Sequence, residues 1–354
     1  MGLKTNNSFW QDKNVVITGH TGFKGSWLAF WLTHLGAKVT GYALDPLTDS
    51  NLFSVLDIEK SIIDHREDMR DLSSLKSFIK SSQPEIVIHT AAQSLVRESY
   101  KDPVGTYATN VMGTVNLLEA ARSCDSVRAI LIVTSDKCYE NRELDYGYKE
   151  TDTMGGHDPY SSSKGCAELV TSAFRRSFYE NASMIAVASA RAGNVIGGGD
   201  WSANRIIPDA IRSFSSNKQL QVRSPDAIRP WQHVLEPLSG YLTLCEKMWN
   251  QPLKFSEGWN FGPLESIREV EEIMNRVSEL WGENADWKRS IVDHPHEATL
   301  LKLNIAKAKK KLGWAPKWDL DTALEKTVSW YKSYYNGEDV GEMSLKQIEE
   351  YQVS

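Results

Sequence analysis

Through its first half the chain alternates short apolar runs with longer stretches of helical period. The runs "NVVIT" (14–18), "KVTGYAL" (38–44), "EIVIHTAA" (85–92), "RAILIVTS" (128–135) and "MIAVASA" (184–190) are rich in Val and Ile. They scarcely alternate between apolar and polar, so both faces of each strand must be covered. Between them lie helical stretches such as "SWLAFWLTHLG", which ends on Gly36, and "GTVNLLEAAR". Strand–helix alternation of this kind predicts an α/β fold, a doubly wound parallel sheet with helices on both faces.

Beyond about residue 190 the regularity fades. Loops rich in Gly, Pro and Trp ("GNVIGGGDW", "SPDAIRPW", "WNFGP") separate helical patterns at 268–281 and 319–335. The expected organisation is a first domain over 1–190, rejoined by about 228–255. A smaller mixed lobe takes 191–227 and 256–340, and a polar peripheral tail takes 341–354.

Bulk properties exclude several classes. The chain has 354 residues, 41% hydrophobic and 24% charged, with a net charge of −6. That balance argues against nucleic acid or an anionic membrane surface as partner. The one dense basic run, "KAKKK" at 307–311, has Ile305, Ala308 and Leu312 at helical spacing and reads as a solvated helix face. Four cysteines without CxxC spacing indicate neither a metal site nor a disulfide scaffold. The opening "MGLKTNNSFWQDKN" lacks an apolar h-region, and Asn6 breaks the myristoylation pattern. No apolar run approaches membrane-spanning length. The expected location is the cytoplasm.

Two constellations carry chemistry. In "VVITGHTGFKGSWL", Gly19, Gly22 and Gly25 stand between the first strand and the first helix. Glycines there let the backbone turn tightly and approach a pyrophosphate, which the helix N-terminus then attracts. Asp45 follows about twenty residues on, at the end of the next strand, where a carboxylate accepts hydrogen bonds from a ribose. With no Arg after it in "DPLTDSNLF", the spacing favours NAD over NADP. This is a Rossmann-type arrangement. The second constellation is Tyr160 and Lys164 in "PYSSSKGCAE", four apart and so on one helix face. No other of the 13 tyrosines has a lysine four residues on. A phenol working as a base near neutrality needs its pKa lowered by about three units, a drop that a neighbouring ammonium and the nicotinamide cation can supply.

These features, with "HTAAQ" and "TSD" in the expected order, resemble the extended short-chain dehydrogenase/reductase family over nearly the whole chain. The resemblance nominates Tyr160, Lys164 and Ser135 for hydride transfer. It adds Phe23, Asp68, Met69 and Ala91 to Gly19, Gly22, Gly25 and Asp45 as the NAD site. "TSDKCYEN", "RAGNVIGGGDW", "RIIPD" and "RPWQHVLEPL" look like the nucleotide-sugar 4,6-dehydratase branch, in particular the enzymes that take CDP-glucose. That branch carries an acid–base pair directly after the Ser, here Asp136 and Lys137. The implied reaction has three steps: C4 oxidation, loss of water across C5 and C6, and return of the hydride to C6, early in deoxysugar (O-antigen type) synthesis. Asp136 is the expected acid on the 6-hydroxyl and Lys137 the expected base at C5, the two sharing one mobile proton. Consecutive strand residues face opposite ways, so the strand must end there for all three to meet one substrate.

By the same resemblance Asn194, Arg205 and Arg229 grip the nucleotide sugar, and the family pairs through helices into homodimers or homotetramers. His233 and His296 read as structural, and no metal site is expected. A 4-epimerase or reductase on this fold would need Tyr160 and NAD but not the Asp136–Lys137 pair. A non-catalytic NAD-binding regulator could lose the Tyr–Lys pair, which this chain keeps.

Overall fold

A computed structural model describes residues 7–143, 146–180, 185–263, 268–290 and 301–354. Its centre is a seven-stranded parallel sheet. The strands are β1 (Asn14–Thr18), β2 (Lys38–Ala43), β3 (Ile63–Arg66), β4 (Ile86–His89), β5 (Ala129–Val133), β6 (Ala186–Ala192) and an edge strand, Gly258–Phe261. From that edge inward the order is β6, β5, β4, β1, β2, β3. The apolar character of both strand faces has a direct cause. Val15 and Ile17 of β1, and Ala129, Leu131 and Val133 of β5, pack into one core with Trp27, Trp31 and Trp259. Val16, Ile130 and Ile132 point the other way, among Leu75, Phe78, Leu117 and Leu118.

The chain order reverses between β1 and β4, so loops leaving these neighbours diverge and open a crevice at the carboxyl end of the sheet. Four segments expected to carry chemistry leave these ends: 19–25 from β1, 90–95 from β4, 134–139 from β5 and 193–194 from β6.

Two strands of this sheet were not expected. β3 reads "IDHR", polar at all but its first residue, because it is an exposed edge. Gly258–Phe261 hides inside the apparent loop "WNFGP" and pairs with β6, carrying the main sheet past residue 256. The helix Leu235–Asn250 is almost wholly buried against β5 and β6. Residues 206–229 and 268–289 build a small cap from helices Ile206–Ser215 and Val270–Trp281 and two short strand pairs. The final segment forms a helix, Val340–Val353, whose Tyr351 is buried edge-on to Trp31 and Trp318. The basic run lies on a π-type turn, Ala308–Leu312, with Ala308 and Leu312 inward and the lysines between them exposed.

Candidate active site

One cavity of about 1140 Å³ runs along the crevice, beyond the range of about 300–1,000 Å³ that holds a single small ligand. At one end it is walled by the glycine loop. Gly19 has φ +76°, and a Cβ there would stand 2.6 Å from the backbone of Ala91. Only glycine therefore lets the ends of β1 and β4 close to this distance. Gly22 caps the helix Phe23–His34 without a side-chain hydrogen bond, and Gly25 lies in its first turn, so the first amide groups face the cavity. Asp45 lines the same end with its carboxylate 89% exposed. Met69 is buried, and its carbonyl accepts from Asn116 at 3.0 Å. Asp68 holds the Arg70 guanidinium, whose hydrogen bonds keep its carboxyl below the usual range. Phe23 and Ala91 also line the wall. A cradle that a single methyl group would fill, with an outlying carboxylate, fits the pyrophosphate and ribose of NAD.

At the centre, β5 stops at Val133 and Ser135 is extended. Its hydroxyl then accepts from the Lys137 backbone N–H at 3.2 Å and starts a 3-10 turn, Asp136–Cys138. This turn breaks the strand alternation and lets Ser135, Asp136 and Lys137 all line the cavity. Ser135 Oγ donates to Asp136 Oδ1 at 2.9 Å. Asp136 is 2% exposed and Lys137 partly exposed. Opposite stands the helix Pro159–Phe174. Asp158 caps it by accepting from the Ser161 N–H at 2.9 Å, and Pro159 occupies its first position. Tyr160 and Lys164 share its buried face and line the cavity.

Electrostatics here differ from expectation in one respect. Burial pushes the Tyr160 phenol up to about 12 in the protein alone, with a hydrogen bond from Ser135 and the charge of Arg205 pulling it down. Lys164 exerts no comparable pull. Its Nζ faces the Val133 carbonyl at 3.4 Å, and burial brings it down to about 8 against the opposing charge of Glu168.

The expected substrate residues surround the far end. Asn194 opens a short strand beside Trp231–His233. Arg205 Nη1 pairs with Asp200 at 2.8 Å and its Nη2 donates to Ser94 Oγ at 3.1 Å. Arg229 is buried, and its Nη1 donates to the Ile228 carbonyl at 3.0 Å. All three line the cavity. His233 is fully buried, which drives it down to about 3, and it packs against Trp27 and Trp318 away from the cavity. His296 lies outside the described residues. Among the described residues, no cluster of His, Cys, Asp or Glu could hold a metal.

Three residues were missed. Lys24, inside the glycine motif, lines the cavity and is brought down to about 8 by burial, with Arg205 and Lys164 pushing the same way. Its only signal was a lysine where the motif needs none. Arg66, from β3, reaches Asp45 at 3.3 Å; no local pattern announced it, since 21 residues separate the two. Gly193 leaves room for Asp136: a Cβ there would sit 3.0 Å from Asp136 Oδ2 and 3.1 Å from Pro230 Cγ.

Comparison with known proteins gives this geometry a context. A family model described as GDP-mannose 4,6 dehydratase matches residues 16–327. The CDP-glucose 4,6-dehydratase of Salmonella typhimurium is 52% identical over 349 residues, covering 97% of each chain. Among solved structures, dTDP-glucose 4,6-dehydratase from Bacillus anthracis in complex with NAD superposes with TM-score 0.75 at 21% identity, covering 92% of this chain and 98% of that one. UDP-glucose 4-epimerase from Thermotoga maritima, solved with UDP-glucose, gives TM-score 0.78, also at 21% identity, covering 90% and 99%. These two structural likenesses speak for the fold alone.

Proposed function

The chain belongs to the GDP-mannose 4,6 dehydratase family, and from that premise we propose that it dehydrates CDP-glucose to CDP-4-keto-6-deoxyglucose. The observation that carries this reading is the turn after β5, which puts Ser135, Asp136 and Lys137 on one cavity wall facing Tyr160. An epimerase has no use for the Asp136–Lys137 pair.

NAD, when bound in the glycine cradle, supplies the redox step by taking up hydrogen from C4 and giving it back at C6. The residues do the rest. Tyr160 takes the proton of the sugar 4-hydroxyl, with the Ser135 hydroxyl aligning it, Arg205 supplying positive charge nearby and Lys164 one turn along the same helix. Once C4 is a ketone, the hydrogen at C5 is acidic. Lys137 removes it while Asp136 protonates the departing 6-hydroxyl. The pair needs only one proton between them, carried by Asp136 before the elimination and by Lys137 after it. Arg229, Arg205 and Asn194 hold the diphosphate and sugar.

Replacing Lys137 by Met tests the assignment. The 4-keto-6-deoxy product absorbs in alkali, so turnover of CDP-glucose is read directly. A fall in kcat of about a hundredfold or more is expected for loss of a general base. Unchanged turnover removes Lys137 from the mechanism. Running CDP-, dTDP-, UDP- and GDP-glucose side by side tests the base preference.

We further propose that two copies pair through the helices at 96–112 and Pro159–Phe174. Tyr100, Val104, Met112 and Leu169 are exposed there, Val104 at 78% and Leu169 at 60%. The four free cysteines, and the lack among the described residues of any helix fit to cross a membrane, support work in the cytoplasm.

A further inference from the structure

The helix that carries Tyr160 and Lys164 carries a third ionisable residue on the same buried face, Glu168, four residues beyond the lysine. Glu168 does not line the cavity, so it cannot touch the sugar. Its carboxylate nonetheless has three partners. Oε1 accepts from Thr134 Oγ1 at 2.5 Å, and Oε2 accepts from Ser189 Oγ at 2.6 Å and from Arg191 Nη2 at 2.7 Å. Glu168 and Arg191 are each 5% exposed at the side chain. Arg191 Nη1 continues the chain of bonds to the Tyr139 hydroxyl at 2.6 Å, and that hydroxyl donates to Asn260 Oδ1 at 2.7 Å. Thr134 and Tyr139 bracket the turn of Ser135, Asp136 and Lys137. The network thus grips this turn from both ends and ties it to the catalytic helix, β6 and the edge strand.

A buried ion pair is a poor way to gain stability, because desolvation offsets most of its attraction. What such a network does provide is a single arrangement of the groups it joins. We propose that Glu168 is a positioning residue for the dehydration: it fixes the turn of Ser135, Asp136 and Lys137 against the helix of Tyr160 and Lys164, and it holds a negative charge behind the Lys164 ammonium. This rests on the reading of the site given above. The groups facing Lys164 are Tyr160 and Glu168 on its own helix, His89 on β4, Cys138 on the turn and Lys24 on the first helix. Of these, Glu168 is the carboxylate. Burial works to raise its own pKa, but Arg191 and the bonds from Ser189 and Thr134 outweigh it, so the carboxylate stays charged.

Three variants of the NAD-carrying enzyme test this: Glu168→Gln, the double variant Glu168→Gln/Arg191→Met, which leaves no buried guanidinium unpaired, and Thr134→Val, which cuts the tether but keeps the charge. kcat and KM for CDP-glucose are followed from neutral to alkaline pH, with circular dichroism and thermal melting as folding controls. All three should lose kcat by about tenfold or more with KM within about twofold, since misplacing the turn harms the reacting geometry more than binding. In the two Glu168 variants Lys164 loses its opposing charge and deprotonates sooner. The alkaline limb of kcat should then move toward neutrality by about one pH unit. Thr134→Val should leave that limb in place. A folded double variant with wild-type kcat and an unmoved limb overturns the proposal. Should neither Glu168 variant fold, Thr134→Val with wild-type kcat overturns it. Failure of the unaltered protein to turn over CDP-glucose would instead count against the enzymatic reading.

Discussion

Replacing Ser135 by Ala removes one hydroxyl that serves three neighbours. It accepts from the Lys137 N–H, and its single proton goes either to Asp136 Oδ1 or, when the hydroxyl turns, to the Tyr160 phenolate, whose pKa it then pulls down. The third role has a readout of its own. Tyr160 must be ionised, or nearly so, to take the sugar's proton, and in the protein alone burial already holds it at about 12. A buried hydrogen bond to a group acquiring charge contributes about 1.5–3 kcal/mol. At about 1.4 kcal/mol per pK unit, its loss raises the phenol by roughly one to two units. A raised pKa leaves less phenolate at any pH below it, so kcat near neutrality should fall by about 10- to 100-fold. The acidic limb of the kcat profile should shift upward by the same one to two units. Product absorbance in alkali gives the initial rates, and Ser135→Thr, which restores the hydroxyl, should recover much of the loss. A Ser135→Ala enzyme with reduced kcat but an unmoved acidic limb would refute the link between Ser135 and the phenol.

Other outcomes follow from the same geometry. Gly193→Ala places a methyl group 3.0 Å from Asp136 Oδ2, and should cut kcat while NAD content, measured after denaturation, stays unchanged. Asp45→Asn removes the charge that repels a 2′-phosphate and releases Arg66 from it, so activity supported by NADP relative to NAD should rise. Glu236 is fully buried under the last helix, accepts from the Lys317 and Trp318 N–H groups and the Tyr351 hydroxyl, and is pushed up to about 7 by burial. A folded-state pKa above the unfolded value means stability present at low pH and lost as pH rises toward 7. Up to about 3 kcal/mol is at stake. Melting temperature should therefore fall between mildly acidic and neutral pH, and Glu236→Gln, which keeps one acceptor and stays neutral, should flatten that dependence.

Much of this molecule was legible from local pattern. Five central strands announce themselves because residues covered on both faces leave no polar alternation, and the helices at 113–122 and 320–335 because their period is 3.6. The glycine loop and the Tyr160–Lys164 spacing are equally local, since a tight turn and an i, i+4 pair are properties of a few consecutive residues. What the tertiary structure alone decided is everything that depends on two distant segments meeting. β3 and Gly258–Phe261 are strands only because neighbours pair with them: the first is too polar, the second too embedded in loop residues, to say so. Arg66 reaches Asp45 across the sheet edge. The Ser135–Lys137 turn faces Tyr160 because β5 ends at Val133, and Glu168 and Arg191 meet behind it because a helix and β6 pack there. Charges in that space act through low dielectric on whatever lies near, and nearness between segments follows from how layers stack, which no stretch of sequence contains.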